Sequence, residues 1–327
     1  MRELGLHSYG QVLKPVNGLM CVVDKDNNAI CVRNITTGEA TSWIQTTIDV
    51  ERTEGYKLLQ KFKIYEFGCD PTTMEHKVIC ILSMCKTQSC TQYEVCEVLT
   101  VCDNTWTRIN AVPGLPYDYN LKESVNVNGV IYWFTCKYLG NSNKHEYPSF
   151  ILAFDVGKEK FRKITLPNSY LDKPCDHILY FCCSTLLQVD GHVALMRRQS
   201  DRTVKLWLLN DKNKESGTKS GTDTNWYADT ITLPSDISWD EKSRPQFYSV
   251  EGTDRIIIET NKDYYRHVCH ASLHSYNWKK RSFGEVKFNG MPYSVPCCSS
   301  INHFRTFSES LLPVQKKLRQ STTLQLG

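Results

Sequence analysis

Apolar residues along this chain arrive in short runs bounded by Gly, Asn, Asp and Pro, and the runs recur in a set order. An Asn-Gly or Asp-Gly turn leads into an apolar strand. A second apolar strand ends in Asp or Asn, and an aromatic residue follows a few positions later. The clearest copy reads Val127-Asn128-Gly129-Val130-Ile131-Tyr132-Trp133-Phe134, then Phe150-Ile151-Leu152-Ala153-Phe154-Asp155, then Phe161-Arg162-Lys163-Ile164-Thr165-Leu166-Pro167. Short runs rich in β-branched and aromatic types, punctuated by turn formers, predict strands. A two-residue Asn-Gly loop predicts a tight hairpin.

Four further copies align with this one. The first opens at Asn17-Gly18 with Leu19-Met20-Cys21-Val22-Val23, continues as Ala29-Ile30-Cys31-Val32-Arg33-Asn34 and reaches Trp43-Ile44. The second replaces the turn with Phe67-Gly68-Cys69-Asp70-Pro71, and its strands start at Lys77, Tyr93 and Thr105. The fourth opens at Asp190-Gly191 and closes with Trp226 and Ile231, and the fifth runs from Glu251-Gly252 to Trp278. Gly129, Gly191 and Gly252 lie 62 and 61 residues apart, and Gly18 precedes Gly129 by 111, room for two units. A period this long exceeds the WD40 unit of about 40–45 residues and the kelch unit of about 50.

The expectation is an all-β chain: a β-propeller of four-stranded antiparallel blades, with five recognisable repeats and a sixth blade, assembled from the termini, left open. The aromatic after each Asp or Asn is expected on the inner face of an outer strand, between blades. Tyr293 to Phe307 is expected to supply a strand that closes the ring. Only Val50 to Lys61 and Leu312 to Gln320 could hold a short helix, and neither has a clean amphipathic period.

A net charge of +4 over 327 residues is small. It implies no broad field for nucleic acid or membrane, so neither is expected as a partner. No signal peptide and no stretch apolar enough to span a membrane stand out. Fifteen cysteines would suit a disulfide framework in a secreted protein. Here Cys21, Cys31, Cys80, Cys96 and Cys136 fall inside predicted strands, as small hydrophobes in a reducing compartment would. The cytoplasm or nucleus is the expected location, and the Asn34-Ile35-Thr36 sequon is then idle.

Candidate chemistry is sparse. His267, Cys269, His270 and His274 cluster, but no second ligand pair at zinc spacing accompanies them. Cys85, Cys90 and Cys96 are irregularly spaced. Gly217-Thr218-Lys219-Ser220-Gly221 has part of a phosphate-loop composition without its glycine spacing, preceding strand or following helix, and it falls in a polar segment, Asp211 to Asn225, expected to be a disordered loop. No nucleophile elbow and no His-Glu-x-x-His pair occurs. No catalytic, metal or cofactor residue is therefore assigned, and the chain is expected not to be an enzyme.

The ordered motifs resemble a family. Val16-Asn17-Gly18-Leu19, Arg33-Asn34-Ile35-Thr36-Thr37-Gly38, Phe67-Gly68-Cys69-Asp70-Pro71 with Lys77-Val78, Trp106-Thr107-Arg108-Ile109, Val127-Asn128-Gly129-Val130-Ile131-Tyr132-Trp133, Ala153-Phe154-Asp155 and Glu309-Ser310-Leu311 follow in the order found in the plant F-box associated domain. Cys69 stands where Tyr is usual and Ile35 where Pro is usual. The resemblance implies a kelch-like β-propeller that recruits the target protein of an SCF-type ubiquitin ligase, with an F-box before it that docks onto Skp1. Residues 1–15 show no F-box pattern. The expected layout is a short N-terminal segment at 1–15, the propeller at 16–313 and a basic, disordered tail at 314–327. Skp1 and cullin are expected as partners only if an F-box lies upstream in the full-length product.

Rigid propellers bind through exposed loops, and loop aromatics make natural anchors. Tyr117 and Tyr119 follow Leu115-Pro116, Tyr170 and Asp172 follow Leu166-Pro167, and Trp239 and Arg244 follow Leu233-Pro234. With Tyr264 and Tyr265 in a turn between strands, these are the candidate partner-binding residues for an unidentified target. For each, simple packing over the blade below is the competing account. Two other functional readings stand beside this one: a free-standing or decoy interaction propeller with no ubiquitin role, and a propeller enzyme with its active groups in the channel.

Overall fold

The structure, a computed structural model, describes residues 10–47, 56–58, 63–86, 92–115, 119–137, 149–171, 184–210, 226–235, 237, 245–250, 252–262, 268–286, 295–296 and 314. These form five antiparallel sheets, each a meander in chain order. The first contains β1 (Gly10–Val12), β2 (Leu19–Asp24), β3 (Ala29–Asn34) and β4 (Ile44–Gln45). In the second, β5 (Tyr56–Leu58) and β6 (Ile64–Cys69) both pair with β7 (His76–Lys86), followed by β8 (Gln92–Thr100) and β9 (Thr105–Ile109). The third has β10 (Tyr119–Val127), β11 (Val130–Lys137), β12 (Phe150–Asp155) and β13 (Lys160–Thr165). A single helical turn, α1 (Asn168–Leu171), precedes the fourth sheet of β14 (Ser184–Val189), β15 (His192–Arg198), β16 (Thr203–Leu209) and β17 (Trp226–Thr232). The fifth has β18 (Gln246–Ser249), β19 (Arg255–Lys262), β20 (Val268–Asn277) and β21 (Ser282–Glu285), with β22 (Val295–Pro296) also paired to β20.

The Asn-Gly signal acts through backbone sign. Asn128 and Gly129 have φ of 51° and 74°, and Asp190 and Gly191 have 51° and 73°. Two consecutive positive φ angles make a hairpin turn whose twist matches that of the strands it joins. Val127 then faces Val130, and Val189 faces His192. The turn thus joins the first and second strands of a sheet instead of opening it. The first sheet accordingly starts at Gly10–Val12, inside the segment 1–15 that the repeat leaves outside the blades.

The Asp or Asn at the end of the third strand also has a local cause. Asn34 Oδ1 accepts from the N–H of Thr36 (2.8 Å) and Thr37 (3.1 Å), and Asn277 Oδ1 accepts from Lys280 (2.7 Å). The side chain mimics a backbone turn and starts the reversal. The same device recurs elsewhere: hydrogen bonds from Asn27 hold the Asp24 carboxyl below its ordinary value, and that of the Thr72 N–H does the same for Asp70.

One helix expectation is corrected, and the expectations for the C-terminal segments meet only partial structure. Tyr56–Leu58 is a strand, so the helix candidate at 50–61 contains β structure wherever it is described. Val295–Pro296 joins the fifth sheet through β20. Val314, at the start of the expected tail, is buried in the core of the first unit. No sixth sheet forms among the described residues.

The chain divides into two compact units, 1–114 with 156–159 and 307–327, and 115–155 with 160–306. Within the first, the facing sides of its two sheets share one apolar core that includes Leu19, Cys21, Val32, Tyr65, Cys80 and Leu99. Within the second, the fourth sheet buries both faces. Leu186, Val193, Leu195 and Trp207 pack toward the third sheet, whereas Leu187, Ala194, Met196 and Leu206 pack toward the fifth. Burial on both sides explains the continuous apolar runs Val193-Ala194-Leu195-Met196 in β15 and Leu206-Trp207-Leu208-Leu209 in β16.

Candidate interaction surface

The connectors start from a repeated tether. A Leu-Pro pair follows the outer strand, at once after β13 and β17 and six residues after β9, and the leucine is buried: Leu115 is 8% exposed, Leu166 1% and Leu233 1%. Leu233 donates its N–H to the Arg202 carbonyl (2.8 Å), and the Arg202 guanidinium donates back to the Leu233 carbonyl (3.2 Å). Proline then ends the ladder because it has no N–H to offer. The chain leaves the second, third and fourth sheets at positions defined by packing.

The connector after the third sheet shows what such a turn displays. Tyr170 and Leu171 both donate their N–H groups to the Pro167 carbonyl (2.9 and 3.3 Å), which forms α1. The Tyr170 ring turns inward, 7% exposed, edge-on to Phe134 (6.2 Å between centroids) and to Trp207 (5.3 Å). Its hydroxyl lies 3.0 Å from Ser184 Oγ. The Arg197 guanidinium sits 4.9 Å from the ring centroid and donates to the Tyr170 carbonyl at 2.8 Å. Trp207 Nε1 donates to Ser169 Oγ at 3.0 Å, and Lys205 lies 5.0 Å above the Trp207 ring. The short turn is thereby bolted to β15 and β16, and Leu171 beside it is 45% exposed.

Of the candidate anchors, Tyr170 is thus a core residue that holds its connector in place. Tyr119 lies in β10 opposite Lys137. Tyr117, Asp172, Trp239, Arg244, Tyr264 and Tyr265 fall outside the described residues, as do the polar loop and His267. The outward-facing residue that sequence reasoning missed is Leu171. A Pro-Asn-Ser helix start after Leu166 was the available signal, since it sets adjacent residues on different sides of a turn. Other exposed large apolar side chains are Ile35, Trp43, Met74, Val112 and Tyr227.

The outer-strand aromatics divide between two roles. Phe161 packs on Phe154 (4.8 Å) and Trp133 (6.5 Å) of its own sheet, and Phe283 packs on Tyr276 (4.7 Å) of its own. Trp226 joins sheets, with Nε1 donating to the Thr165 carbonyl at 3.2 Å. Trp43 is 55% exposed and packs as neither. The inter-blade aromatic is found in Trp106, Trp226 and Trp278, each packed on a cluster shared by two sheets, and is corrected for Trp43 and Phe161.

Electrostatics inside the blades favour inert groups. Burial pushes the thiols of Cys21 and Cys96 well up and that of Cys80 to about 12. Burial also lowers the His76 imidazole from its ordinary value, although Nε2 lies 3.2 Å from the Val16 carbonyl. Among the described residues two carboxylates are buried in strands: Glu97 (0% exposed) accepts from the Thr47 hydroxyl, and Glu259 (1%) accepts from Tyr248 at 2.8 Å. Among the described residues no group of three His, Cys, Asp or Glu side chains is placed to hold a metal ion.

Two putative F-box proteins of Arabidopsis thaliana are similar to the chain. One is 27% identical over 156 residues, covering 48% of this chain and 45% of that protein. The other is 26% identical over 200 residues, covering 61% and 56%. The chain therefore spans about half the length of the curated relatives it matches. Among solved structures, YjhT aligns with a TM-score of 0.40 at 9% identity, over 85% of this chain and 82% of that one. The β-propeller domain of Cps50 (Swd1) from Myceliophteria thermophila aligns with a TM-score of 0.37 at 8% identity, over 85% of each chain. The F-box associated beta propeller domain matches residues 3–311, nearly the whole length, and it is to this family of β-propellers that the chain belongs.

Proposed function

We propose that this chain is the target-recognition module of an F-box protein, binding another protein non-covalently through the connectors between its blades and carrying out no chemistry of its own. The observation that carries the reading is the family match over residues 3–311, in a chain whose relatives are F-box proteins. The tethered connector supports it. A Leu-Pro anchor and the Arg197–Tyr170–Trp207 cluster hold α1 rigidly while Leu171 faces solvent, so little ordering entropy opposes docking there. In an SCF-type ligase, an F-box in the same polypeptide would dock onto Skp1, and the propeller would present its target for ubiquitin transfer. The cytoplasm or nucleus, where buried free thiols persist, is the matching location.

Affinity capture from plant extract tests this, using the chain, the chain with an F-box grafted onto its N-terminus, and Leu171→Asp in both. The expected outcome is one shared protein partner, lost in Leu171→Asp at unchanged melting temperature. Only the grafted form should recover Skp1, and that partner should become ubiquitinated when the remaining ligase components are added. A partner retained by Leu171→Asp removes α1 from the binding surface. A bound small molecule turned over by the purified chain would replace recognition with catalysis.

A further inference from the structure

One row of residues crosses the second sheet on a single face. Tyr65 of β6 stands opposite Cys80 of β7, and Cys80 stands opposite Glu97 of β8. Neighbouring strands lie about 4.8 Å apart, so the phenol and the carboxylate rise from backbones roughly 10 Å apart with one short thiol between them. Both long side chains are buried, Tyr65 at 1% exposure and Glu97 at 0%, and Cys80 is also at 0%. Two long polar side chains flanking a short one define a small space above the short one.

The polar atoms bounding that space are poorly satisfied. Glu97 Oε2 has no hydrogen-bond partner, and Tyr65 Oη has no partner of full hydrogen-bond geometry, only the weak neighbouring thiol of Cys80, whereas Glu97 Oε1 accepts from the Thr47 hydroxyl at 2.5 Å. Lys63, two residues before Tyr65 on the same edge, holds its ammonium 5.3 Å from the ring centroid. Burial, with Cys80 and Glu97 nearby, pushes the Tyr65 phenol far above its ordinary value, so it remains a hydroxyl that needs an acceptor. Cys80 remains a neutral thiol, a weak partner for either. Buried polar groups in native proteins are nearly always paired, with protein or with ordered water.

The smallest group that accepts from Tyr65 and donates to Glu97 at once is a water molecule. We propose that one water is held above Cys80, accepting from the Tyr65 hydroxyl and donating to Glu97 Oε2, with its second proton directed at Cys80 Sγ. Three partners are the usual number for an interior water. A metal ion does not suit the same donors, which offer one carboxylate beside a neutral thiol and a protonated phenol. Thr47, exposed just beyond β4, closes the site on its outer side and ties the end of the first sheet to the middle of the second. The water would make Glu97 a joint between the two sheets of the first unit.

A high-resolution crystal structure of the full chain tests this. The expected result is one solvent peak within hydrogen-bond distance of both Tyr65 Oη and Glu97 Oε2. A direct Tyr65–Glu97 bond, or a peak touching only one of them, overturns the proposal, and this holds even if a variant fails to fold. A thermal double-mutant cycle of Tyr65→Phe and Glu97→Gln gives an independent reading. A shared water makes the double variant lose clearly less melting temperature than the two single losses added, because the second change acts on a link already broken. Strict additivity counts against it.

Discussion

Tyr170 offers the sharpest test of how the connector is held, because its two substitutions remove different things. Tyr170→Phe removes only the hydroxyl and its 3.0 Å contact with Ser184 Oγ. One neutral hydrogen bond is worth about 1 kcal/mol, or about 2–4 °C in melting temperature for a unit of this size. Tyr170→Ala removes a ring packed edge-on to Phe134 and Trp207 and covered by Arg197. Truncating a buried aromatic costs about 3–5 kcal/mol, which is roughly 6–20 °C. Circular dichroism melts of wild type, both variants and Leu171→Asp give the comparison directly. The packing argument predicts a several-fold gap between Tyr170→Ala and Tyr170→Phe, with Leu171→Asp near wild type. If Tyr170→Ala costs no more than Tyr170→Phe, the ring is a surface anchor and the account of α1 is wrong.

Three further outcomes follow from local physics. Gly191 has φ +73° with open space where a Cβ would sit, so Gly191→Ala should cost about 1–2 kcal/mol from backbone strain alone, and Gly191→Asn less, in urea denaturation; equal costs would rule out strain as the cause. The imidazole of His76 is lowered by burial, so the unfolded chain takes up a proton first; stability should be full above pH 6.5 and fall as pH drops from there toward the lowered folded value. His76→Gln should flatten that limb of a stability–pH curve, and an unchanged slope would assign it to other groups. Maleimide labelling at pH 8 followed by mass spectrometry should leave Cys21, Cys80 and Cys96 unmodified until denaturant is added, since their thiols are buried and protonated; rapid labelling of the native chain would contradict their burial.

Much of the fold was legible because its signals are local. Asn128-Gly129 and Asp190-Gly191 specify positive φ at both turn positions, and no distant contact is needed to read that. Asn34 and Asn277 cap their own turns through hydrogen bonds two or three residues away. The place of the turn within each unit was less legible. First strands such as Gly10–Val12 and Gln246–Ser249 are short and weakly patterned, so the eye starts the unit at the glycine. Tyr56–Leu58 was hidden for a related reason: three residues are too few to show a period, and only pairing with Met84–Lys86 makes them a strand.

The candidate site was legible as a location and illegible as a surface. Leu166-Pro167 marked where the chain leaves a blade, but nothing local says which of Tyr170 and Leu171 turns inward. That depends on Phe134, Ser184, Arg197 and Trp207, which lie 14 to 38 residues from the groups they meet. Trp43 shows the converse, an aromatic in the expected position of the repeat that stays 55% exposed. By itself, the sequence determined the repeat, its turns and the longer strands, because backbone sign, proline and alternation act over a few residues. Only the tertiary structure decided which side chains are buried, since burial belongs to the facing sheet as much as to the residue.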